Sequence, residues 1–311
     1  MSFLDRYFFK PSIWQKLIIF LLLPFSLLYA LISIISFKKQ KKYNFNIPII
    51  SIGNISVGGN GKTPFCKALS DILYSKYQDN IFIILRGYKR KSKGVVLVKF
   101  RNQILCDLAS SGDEAMEHAI FTKANVIVSE DRVKGIQKAL ELGAKCVILD
   151  DAFSKQNINK FDILLNSKIK YKYNFCLPSG AYRLPKSYEK LANFNAFEDI
   201  HFARKSYIKE IKEDMILISA IAKPFRLLVY KDLVKAHYFY NDHADFNKDE
   251  IINLLKKHNA KHILLSKKDY VKMKDFGLSL VIIDEELIIY DELKNAINDY
   301  LKEFDVSNKD N

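Results

Sequence analysis

The feature that most constrains the fold of this chain is a glycine-rich turn directly after an apolar segment. Residues 47–53 form an apolar run rich in β-branched side chains that ends in glycine, which is typical of a buried strand. Gly58, Gly59 and Gly61 follow closely, and a helical pattern begins at Pro64. Strand, glycine turn and helix in this order predict an α/β fold with a phosphate-binding loop.

The turn, SVGGNGKT at residues 56–63, contains the residue types that binding a triphosphate requires. Glycines let the backbone form a concave nest whose N–H groups point at phosphate oxygens. Lys62 supplies a positive charge for the β- and γ-phosphates, and Thr63 offers a hydroxyl to Mg²⁺. A glycine turn without a nucleotide is the alternative, since Ser56 replaces the first glycine of the usual GxxxxGK[ST] pattern. We predict that ATP binds here, at Ser56, Val57, Gly58, Gly59, Asn60, Gly61, Lys62 and Thr63.

Carboxylates follow a second apolar run. Residues 145–149 read as a buried parallel strand, and Asp150 and Asp151 come directly after it. Ligands of doubly wound sheets lie at the carboxyl ends of the strands, where two carboxylates can bind Mg²⁺ directly or through water. A pair that only caps a loop is the alternative. Arg132 follows a further strand and is available either for phosphate or for a plain ion pair.

Two further segments contain polar groups without a decisive pattern. Asp113 opens a predicted helix, where capping is the ordinary explanation for a carboxylate. Arg86 and Tyr88 follow a strand and combine an aromatic ring with cations, which suits an anionic sugar but is common on basic surfaces.

The N-terminal region predicts a membrane attachment. Residues 17–37 contain no charged side chain, and as a helix they would be about 31 Å long, enough to cross the hydrocarbon core of a bilayer. A lysine cluster at residues 38–42 outweighs the charges before the segment, which favours a cytoplasmic location for the rest of the chain. Pro24 leaves open a bent helix that lies in one leaflet. A cleaved signal peptide or a buried core helix would also explain an apolar segment of this kind.

The chain has 311 residues and a formal net charge of +14, which favours anionic partners: nucleic acid, an anionic membrane surface or a phosphorylated lipid. No nucleic-acid-binding motif is recognisable, so this class ranks last. The four cysteines form no CxxC pair and have no histidine at metal-ligand spacing, so neither a disulfide framework nor a zinc site is indicated.

With these segments in order, the sequence resembles the tetraacyldisaccharide 4'-kinases of lipid A biosynthesis. The family transfers the γ-phosphate of ATP to the 4'-hydroxyl of an acylated glucosamine disaccharide 1-phosphate. Serine in place of the first loop glycine is typical of that family. The resemblance rests on GNISVGGNGKTP (53–64), RGY (86–88), GDE (112–114), LDDAF (149–153), PSG (178–180), AIAKP (220–224), DH (242–243) and SKKD (266–269).

The resemblance implies roles for individual residues. Lys62 and Thr63 would serve the nucleotide and Mg²⁺, and Asp150 and Asp151 would organise the metal and the transferring phosphate. Asp113 and His243 would act together on the sugar hydroxyl, the carboxylate favouring the imidazolium and the pair accepting the proton. Tyr88, and less specifically Arg86, would lie near the disaccharide or its phosphate.

The chain departs from the family after the two aspartates. The family continues with Gly-Phe-Gln-His, whereas Ala152, Phe153, Ser154 and Lys155 stand here. Lys155 is a candidate replacement for the missing histidine, or the site tolerates the change. Residues 161–206 look divergent, and no role is transferred to them from the family.

We therefore predict a doubly wound sheet typical of P-loop NTPases, a smaller second α/β domain and an N-terminal membrane helix. The predicted units are residues 1–42, 43–205 and 206–311. Strands near 215–222, 262–266 and 280–284 would alternate with helices near 248–258 and 286–301. If the two domains face one another, closure would bring His243 to Asp113 and exclude water.

The predicted enzyme is an ATP-dependent lipid kinase at the bacterial inner membrane, with its catalytic domains on the cytoplasmic side. Its predicted partners are the acylated disaccharide and the membrane surface, with no nucleic acid and no obligate protein partner. The main alternative is another membrane-associated P-loop NTPase that couples ATP hydrolysis to transport or assembly. A non-catalytic sensor of nucleotide and anionic lipid is the second alternative.

Overall fold

The computed structural model describes residues 3–38, 41–58, 61–166 and 170–307. Within these ranges the α-helices are α1 (Phe3–Phe9), α2 (Ile13–Leu21), α3 (Leu23–Lys38), α4 (Lys62–Tyr77), α5 (Leu108–Ser111), α6 (Asp113–Phe121), α7 (Arg132–Glu141), α8 (Lys248–Lys257), α9 (Lys267–Met273) and α10 (Asp291–Ser307). Short 3₁₀ helices occupy Gln78–Asn80, Lys186–Leu191, Pro224–Leu233 and Lys274–Phe276.

The strands divide into two sheets. The first contains β1 (Ile49–Gly53), β2 (Ile81–Leu85), β3 (Val96–Phe100), β4 (Gln103–Ile104), β5 (Asn125–Val128), β6 (Cys146–Asp150), β7 (Phe161–Asn166) and β8 (Phe194–Phe197). The second contains β9 (Phe202–Ile208), β10 (Met215–Ser219), β11 (Ala236–Phe239), β12 (His262–Ser266) and β13 (Leu280–Ile289).

The first sheet is doubly wound, as predicted. Its order is β4-β3-β5-β2-β6-β1-β7-β8, and the six strands from β5 to β8 are parallel, whereas β3 and β4 form an antiparallel edge. Helices α4, α6 and α10 bury their apolar faces on one side, and α7 covers the other. Because both faces are covered, β1, β2 and β6 are buried at every position, which explains their continuous apolar sequences.

The register of β1 and β6 determines where the polar groups emerge. Ile52 of β1 is the partner of Asp150 at the end of β6. The turn after Gly53 and the aspartate pair therefore leave the sheet at the same edge, beside one another, as ligand sites of parallel sheets do.

The second sheet has the order β11-β10-β12-β13-β9, with β9 antiparallel to β13. The predicted domain boundary at residue 205 falls inside β9, which pairs wholly with the second sheet. The last helix, α10, returns to the first sheet, where the Tyr300 hydroxyl hydrogen-bonds both the N–H and the C=O of Ile49 at 3.1 Å. The predicted helix at 286–301 was wrong at its start, because β13 continues to Ile289.

The N-terminal apolar segment is two helices, not one. Helices α2 and α3 meet at a 52° bend, and Pro24 lies in the first turn of α3, where its missing N–H costs no hydrogen bond. In the described part of the chain no single helix is long and apolar enough to cross a bilayer, whereas this bent pair passes that test by length and composition. Many large apolar side chains of the pair are exposed, including Trp14 at 74% and Leu21 at 75%.

Candidate active site

The glycine turn leads from β1 into α4. Gly58 and Gly61 have φ values of 108° and 78°, backbone conformations that favour glycine, and Gly61 directly precedes α4. Lys62 is the first residue of that helix, and its Nζ donates to Asn54 Oδ1 at 3.2 Å. The predicted positions Gly59 and Asn60 lie outside the described residues.

The first half of the turn is tied to a neighbouring loop. The Val57 N–H donates to Ala181 O at 2.8 Å, and the Tyr171 hydroxyl donates to Val57 O at 2.8 Å. Ser56 is buried and forms a bridge with Tyr182. Both backbone polar groups of Val57 are therefore hydrogen-bonded within the protein. Of the described parts of the turn, Gly58 and the N-terminus of α4 are the best placed to bind phosphate.

Asp150 is held at the base of the turn. It is 3% exposed, and its Oδ2 lies 3.0 Å from His118 Nε2. Burial alone would lower the pKa of His118, but the bond to Asp150 and its negative charge outweigh that effect and raise it. Asp150 Oδ1 is also buried and has no hydrogen-bond partner among the described residues. A buried carboxylate oxygen of this kind is available to a cation or to a water held by one.

Cys66, His118 and Asp150 each offer one potential metal-ligand atom, and these atoms lie within 4.8 Å of one another. The sequence spacing had indicated no such cluster. Burial, followed by the charge of Asp150, raises the pKa of the Cys66 thiol well above its usual value. Because His118 Nε2 already contacts Asp150 Oδ2 at 3.0 Å, we assign the cluster to positioning Asp150.

Asp151 faces outward beside Lys62. Its φ is 52°, its side chain is 44% exposed, and its Oδ1 lies 3.7 Å from Lys62 Nζ. Arg183 contacts the other oxygen at 3.4 Å and also donates to Asn54. Burial would raise the pKa of Asp151, but these two cations outweigh it and lower the pKa. The carboxylate is therefore ionised and next to the phosphate-binding lysine.

Asp113 and His243 form a dyad between α6, which packs on the first sheet, and the loop after β11 of the second sheet. Gly112, at φ 83°, caps α6, so Asp113 is not the cap that its position in the sequence suggested. Its Oδ2 instead lies 3.2 Å from Nδ1 of His243, which follows β11 of the second sheet and has φ 60°. Lys272 contacts the same oxygen at 3.1 Å. Burial would raise the pKa of Asp113, but His243 and Lys272 outweigh it and lower the pKa.

The substrate candidates differ in position. Tyr88 is 57% exposed, and its ring centroid is 5.4 Å from that of His243, so it borders the dyad. Arg86 is exposed at the end of β2. Lys155 lies on a separate surface cavity with Lys41 and Tyr43.

Among the described residues Arg132 forms no ion pair, and its guanidinium donates to backbone carbonyls. It is 3% exposed and donates to the carbonyls of Ser129 at 2.6 Å and Asp150 at 3.2 Å. Burial lowers the pKa of its guanidinium to about 10. The side chain joins the ends of β5 and β6 and thereby supports the backbone at the aspartate pair.

A cavity of about 210 Å³ opens between the two sheets. Its first-sheet wall includes Gly61, Lys62 and Thr63 together with Glu114, Glu117 and His118 of α6. The opposite wall is apolar in part and basic in part, and comprises Ile221, Ala222, Lys223, Arg226, Leu227, Lys267 and Lys268. An apolar wall facing a phosphate-binding helix end suits a molecule with a flat base and an anionic tail.

Comparisons with known proteins agree with this geometry. A sequence model of the tetraacyldisaccharide-1-P 4'-kinase family (LpxK) matches residues 18–224. The tetraacyldisaccharide 4'-kinase of Campylobacter jejuni is 56% identical over 303 residues, 97% of this chain and 96% of the relative. The chain belongs to the tetraacyldisaccharide 4'-kinase family.

Further members of the tetraacyldisaccharide 4'-kinase family extend the match. The Helicobacter pylori enzyme is 43% identical over 312 residues, 99% of this chain and 97% of the relative. The crystal structure of LpxK from Aquifex aeolicus, described as a complex with ATP, superposes with a TM-score of 0.73 at 27% identity and covers 91% of this chain and 99% of that one. The predicted family and fold are confirmed.

Several site residues were not predicted from the sequence. Arg183 lies in the segment from which no role was transferred, and His118 and Cys66 have no motif spacing. Lys268 and Asp269 belong to the SKKD motif (266–269), which was recognised without a role for its members. These residues are identified only by their contacts in the folded structure, because their partners lie on elements that are distant in the chain.

Proposed function

We propose that this protein transfers the γ-phosphate of ATP to the 4'-hydroxyl of an acylated glucosamine disaccharide 1-phosphate, as a tetraacyldisaccharide 4'-kinase. The observation that carries this function is the Asp113–His243 pair, which is in contact with Lys268, a residue that lines the same cleft as Lys62 and Thr63. Hydrolysis-driven transport requires no base for an alcohol, so the alternative P-loop NTPase leaves the dyad unexplained.

The residues around the cleft perform separate parts of the transfer. With Nδ1 of His243 donating a hydrogen bond to Asp113, Nε2 is the proton acceptor for the sugar hydroxyl. The hydroxyl oxygen forms a bond to the γ-phosphorus, the bond to the β–γ bridging oxygen breaks, and ADP leaves with that electron pair. Lys62 and the N-terminus of α4 neutralise negative charge on the phosphates.

The oxygen ligands at the base of the loop fit magnesium. Asp150 has a buried Oδ1 with no hydrogen-bond partner among the described residues, Asp151 is ionised, and Thr63 lines the cavity. Hard oxygen ligands are those that Mg²⁺ prefers, and an ion held by these residues would neutralise negative charge on the phosphates. His118 and Arg132 hold Asp150 from behind, so the carboxylate is oriented before the nucleotide arrives.

The N-terminal helices would hold the protein on the inner membrane, with the catalytic domains on the cytoplasmic side. Their exposed apolar side chains support this proposal, as does the lysine cluster that follows α3. The helices contact the loop that holds the phosphate turn: Ser26 Oγ accepts from the Ser179 N–H at 2.9 Å, and the Tyr7 hydroxyl donates to Pro178 O at 3.2 Å. A lipid-anchored sugar would therefore reach the cleft from the membrane side.

The test is phosphorylation itself. Purified protein is incubated with γ-labelled ATP, Mg²⁺ and a detergent-dispersed acylated glucosamine disaccharide 1-phosphate, and the lipid product is separated. Labelled lipid is expected, with little ADP formed when the acceptor is left out. Rapid ATP turnover without acceptor and no labelled lipid would instead identify a hydrolysis-driven NTPase.

A further inference from the structure

Lys268 stands between the dyad and the nucleotide cavity. Its Nζ lies 3.1 Å from His243 Nε2 and 3.0 Å from Asp242 Oδ1, and the side chain is 19% exposed. The residue also lines the cavity that contains Lys62 and Thr63. One ammonium group thus touches the proposed base and borders the space for the triphosphate.

The position of Lys268 is set by its neighbour in the chain. Asp269 is fully buried, and its carboxylate accepts from the Ser219 hydroxyl at 2.8 Å, the Ala220 N–H at 3.0 Å and the Ser266 hydroxyl at 2.8 Å. These bonds attach the start of α9 to the end of β10. The Lys268 backbone is therefore held rigidly, while its long side chain can change partner.

The contact with Lys268 defines the state of His243. An ammonium group only donates hydrogen bonds, so in the 3.1 Å contact Nε2 of His243 presents its lone pair to Lys268, while Asp242 Oδ2 is farther from Nε2, at 3.8 Å. Nδ1 then carries the hydrogen atom and donates a hydrogen bond to Asp113 Oδ2, 3.2 Å away. The lone pair that would accept the hydroxyl proton is therefore covered by the Lys268 ammonium group.

We propose that Lys268 is a catalytic residue that covers His243 Nε2 until a nucleotide fills the cavity and then moves to the γ-phosphate. This inference rests on the proposed function. A triphosphate is more negatively charged than Asp242 and draws the ammonium away from Nε2. The base is exposed at the moment when the phosphoryl group is in place. The hydroxyl proton goes to Nε2 of His243.

The neighbouring lysines have different partners. Lys267 forms an ion pair with Asp284 and lies 5.1 Å from the ring centroid of Phe121. Lys272 contacts Asp113 but not the lone-pair nitrogen. Among the described lysines of the cavity, Lys268 is the one in contact with His243 Nε2, which makes the proposal specific to this residue.

The first experiment separates turnover from binding. Lys268→Met is expected to lower kcat about 10²–10³-fold and to change the nucleotide Kd less than about 5-fold. Lys268→Arg keeps a cation, so its kcat should be at least about tenfold higher than that of Lys268→Met. Lys274→Met is the control, since Lys274 pairs with Asp275 and is absent from the cavity lining. A Met variant with kcat within about threefold of wild type overturns the proposal.

The second experiment requires no lipid and no variant. Nitrogen-15 NMR of His243 should show a change at Nε2 when AMPPNP and Mg²⁺ are added to wild-type protein, because the Lys268 contact is lost. An Nε2 signal that does not respond to saturating nucleotide overturns the uncovering step. Failure of the proposed function would be seen separately, as an absence of labelled lipid in the kinase assay whatever the NMR result.

Discussion

Asp113 Oδ2 lies 3.2 Å from His243 Nδ1, although the two residues are 130 positions apart: Asp113 begins α6, which packs on the first sheet, and His243 follows β11 of the second sheet. The dyad therefore exists only when the two sheets face one another. Its contribution can be measured with Asp113→Asn, which keeps the size of the side chain but removes its charge. We expect kcat to fall about 10²–10³-fold with little change in nucleotide affinity. Asp275→Asn, on an 82% exposed side chain, is the control. Equal losses in kcat and affinity would contradict the base role.

Lys62 is predicted to act mainly in nucleotide binding. Its Nζ is held by Asn54 and lies 3.7 Å from Asp151, so it is placed before the phosphates arrive. Lys62→Met should weaken the binding of an ATP analogue at least about tenfold, because a point charge on the phosphates is lost. Lys76→Met, at the opposite end of α4 and paired with Asp305, is the matched control. Calorimetric titration measures both, and unchanged affinity in the first variant would refute the assignment.

His118 is predicted to orient Asp150 for the metal. His118→Asn removes the imidazole that reaches the carboxylate at 3.0 Å. The half-saturating Mg²⁺ concentration should rise about 10-fold, since loss of a supporting partner weakens a metal site by about 10–100-fold. His258→Asn, at a hydrogen bond to Tyr238 in the second domain, is the control. A variant with lower stability but an unchanged Mg²⁺ requirement would show a purely structural role.

Glu117 should make folding stability depend on pH. Burial, followed by nearby Glu285 and Glu114, raises the pKa of Glu117 from 4.5 to about 7. The folded state therefore binds more protons than the unfolded state between these values, and stability from this group falls as pH rises from 4.5 to 7. In Glu117→Gln the free energy of unfolding should fall by about 1–2 kcal/mol less than in wild type over this pH range. Thermal melts at about pH 5 and about pH 8 measure it, with Glu303→Gln as the control. If the melting temperature falls equally in variant and wild type between the two pH values, the prediction is wrong.

Membrane attachment is predicted to depend on the exposed faces of α2 and α3. Trp14→Lys combined with Leu21→Lys should shift the protein from the membrane fraction to the supernatant, because each change places a charge in an apolar contact. Ile211→Lys, at a 61% exposed position of the second domain, is the control. Flotation with vesicles of mixed zwitterionic and anionic lipids measures the shift. Retention of the double variant on vesicles would exclude these faces as the anchor.

Features that depend on neighbours along the chain could be predicted. The order of β1, glycine turn and α4 is local, and a buried strand that ends in aspartates at residues 150–151 places them at the ligand edge. The apolar N-terminal segment was also recognised, but its division at residue 22 was left open, because a proline in a helix's first turn is compatible with either a bend or a continuous helix.

Contacts between distant elements could not be predicted. Arg132 looked equally suited to phosphate and to an ion pair, yet it donates to the carbonyls at the ends of two strands. The local pattern made Asp113 look like a helix cap, and only the family resemblance paired it with His243; in the structure Gly112 has the cap position and the carboxylate meets His243. In both cases a charged side chain has several partners of similar energy, and packing decides which one is near.

By itself, the sequence determined the α/β class, the phosphate turn with Lys62 and Thr63, and the family. These follow from residue types at fixed spacing, because backbone conformation and strand direction are set over short stretches of chain. The tertiary structure alone decided that Lys268 covers His243 and that His118 supports Asp150. Those contacts depend on how two sheets and their helices pack, which is a property of the whole folded chain.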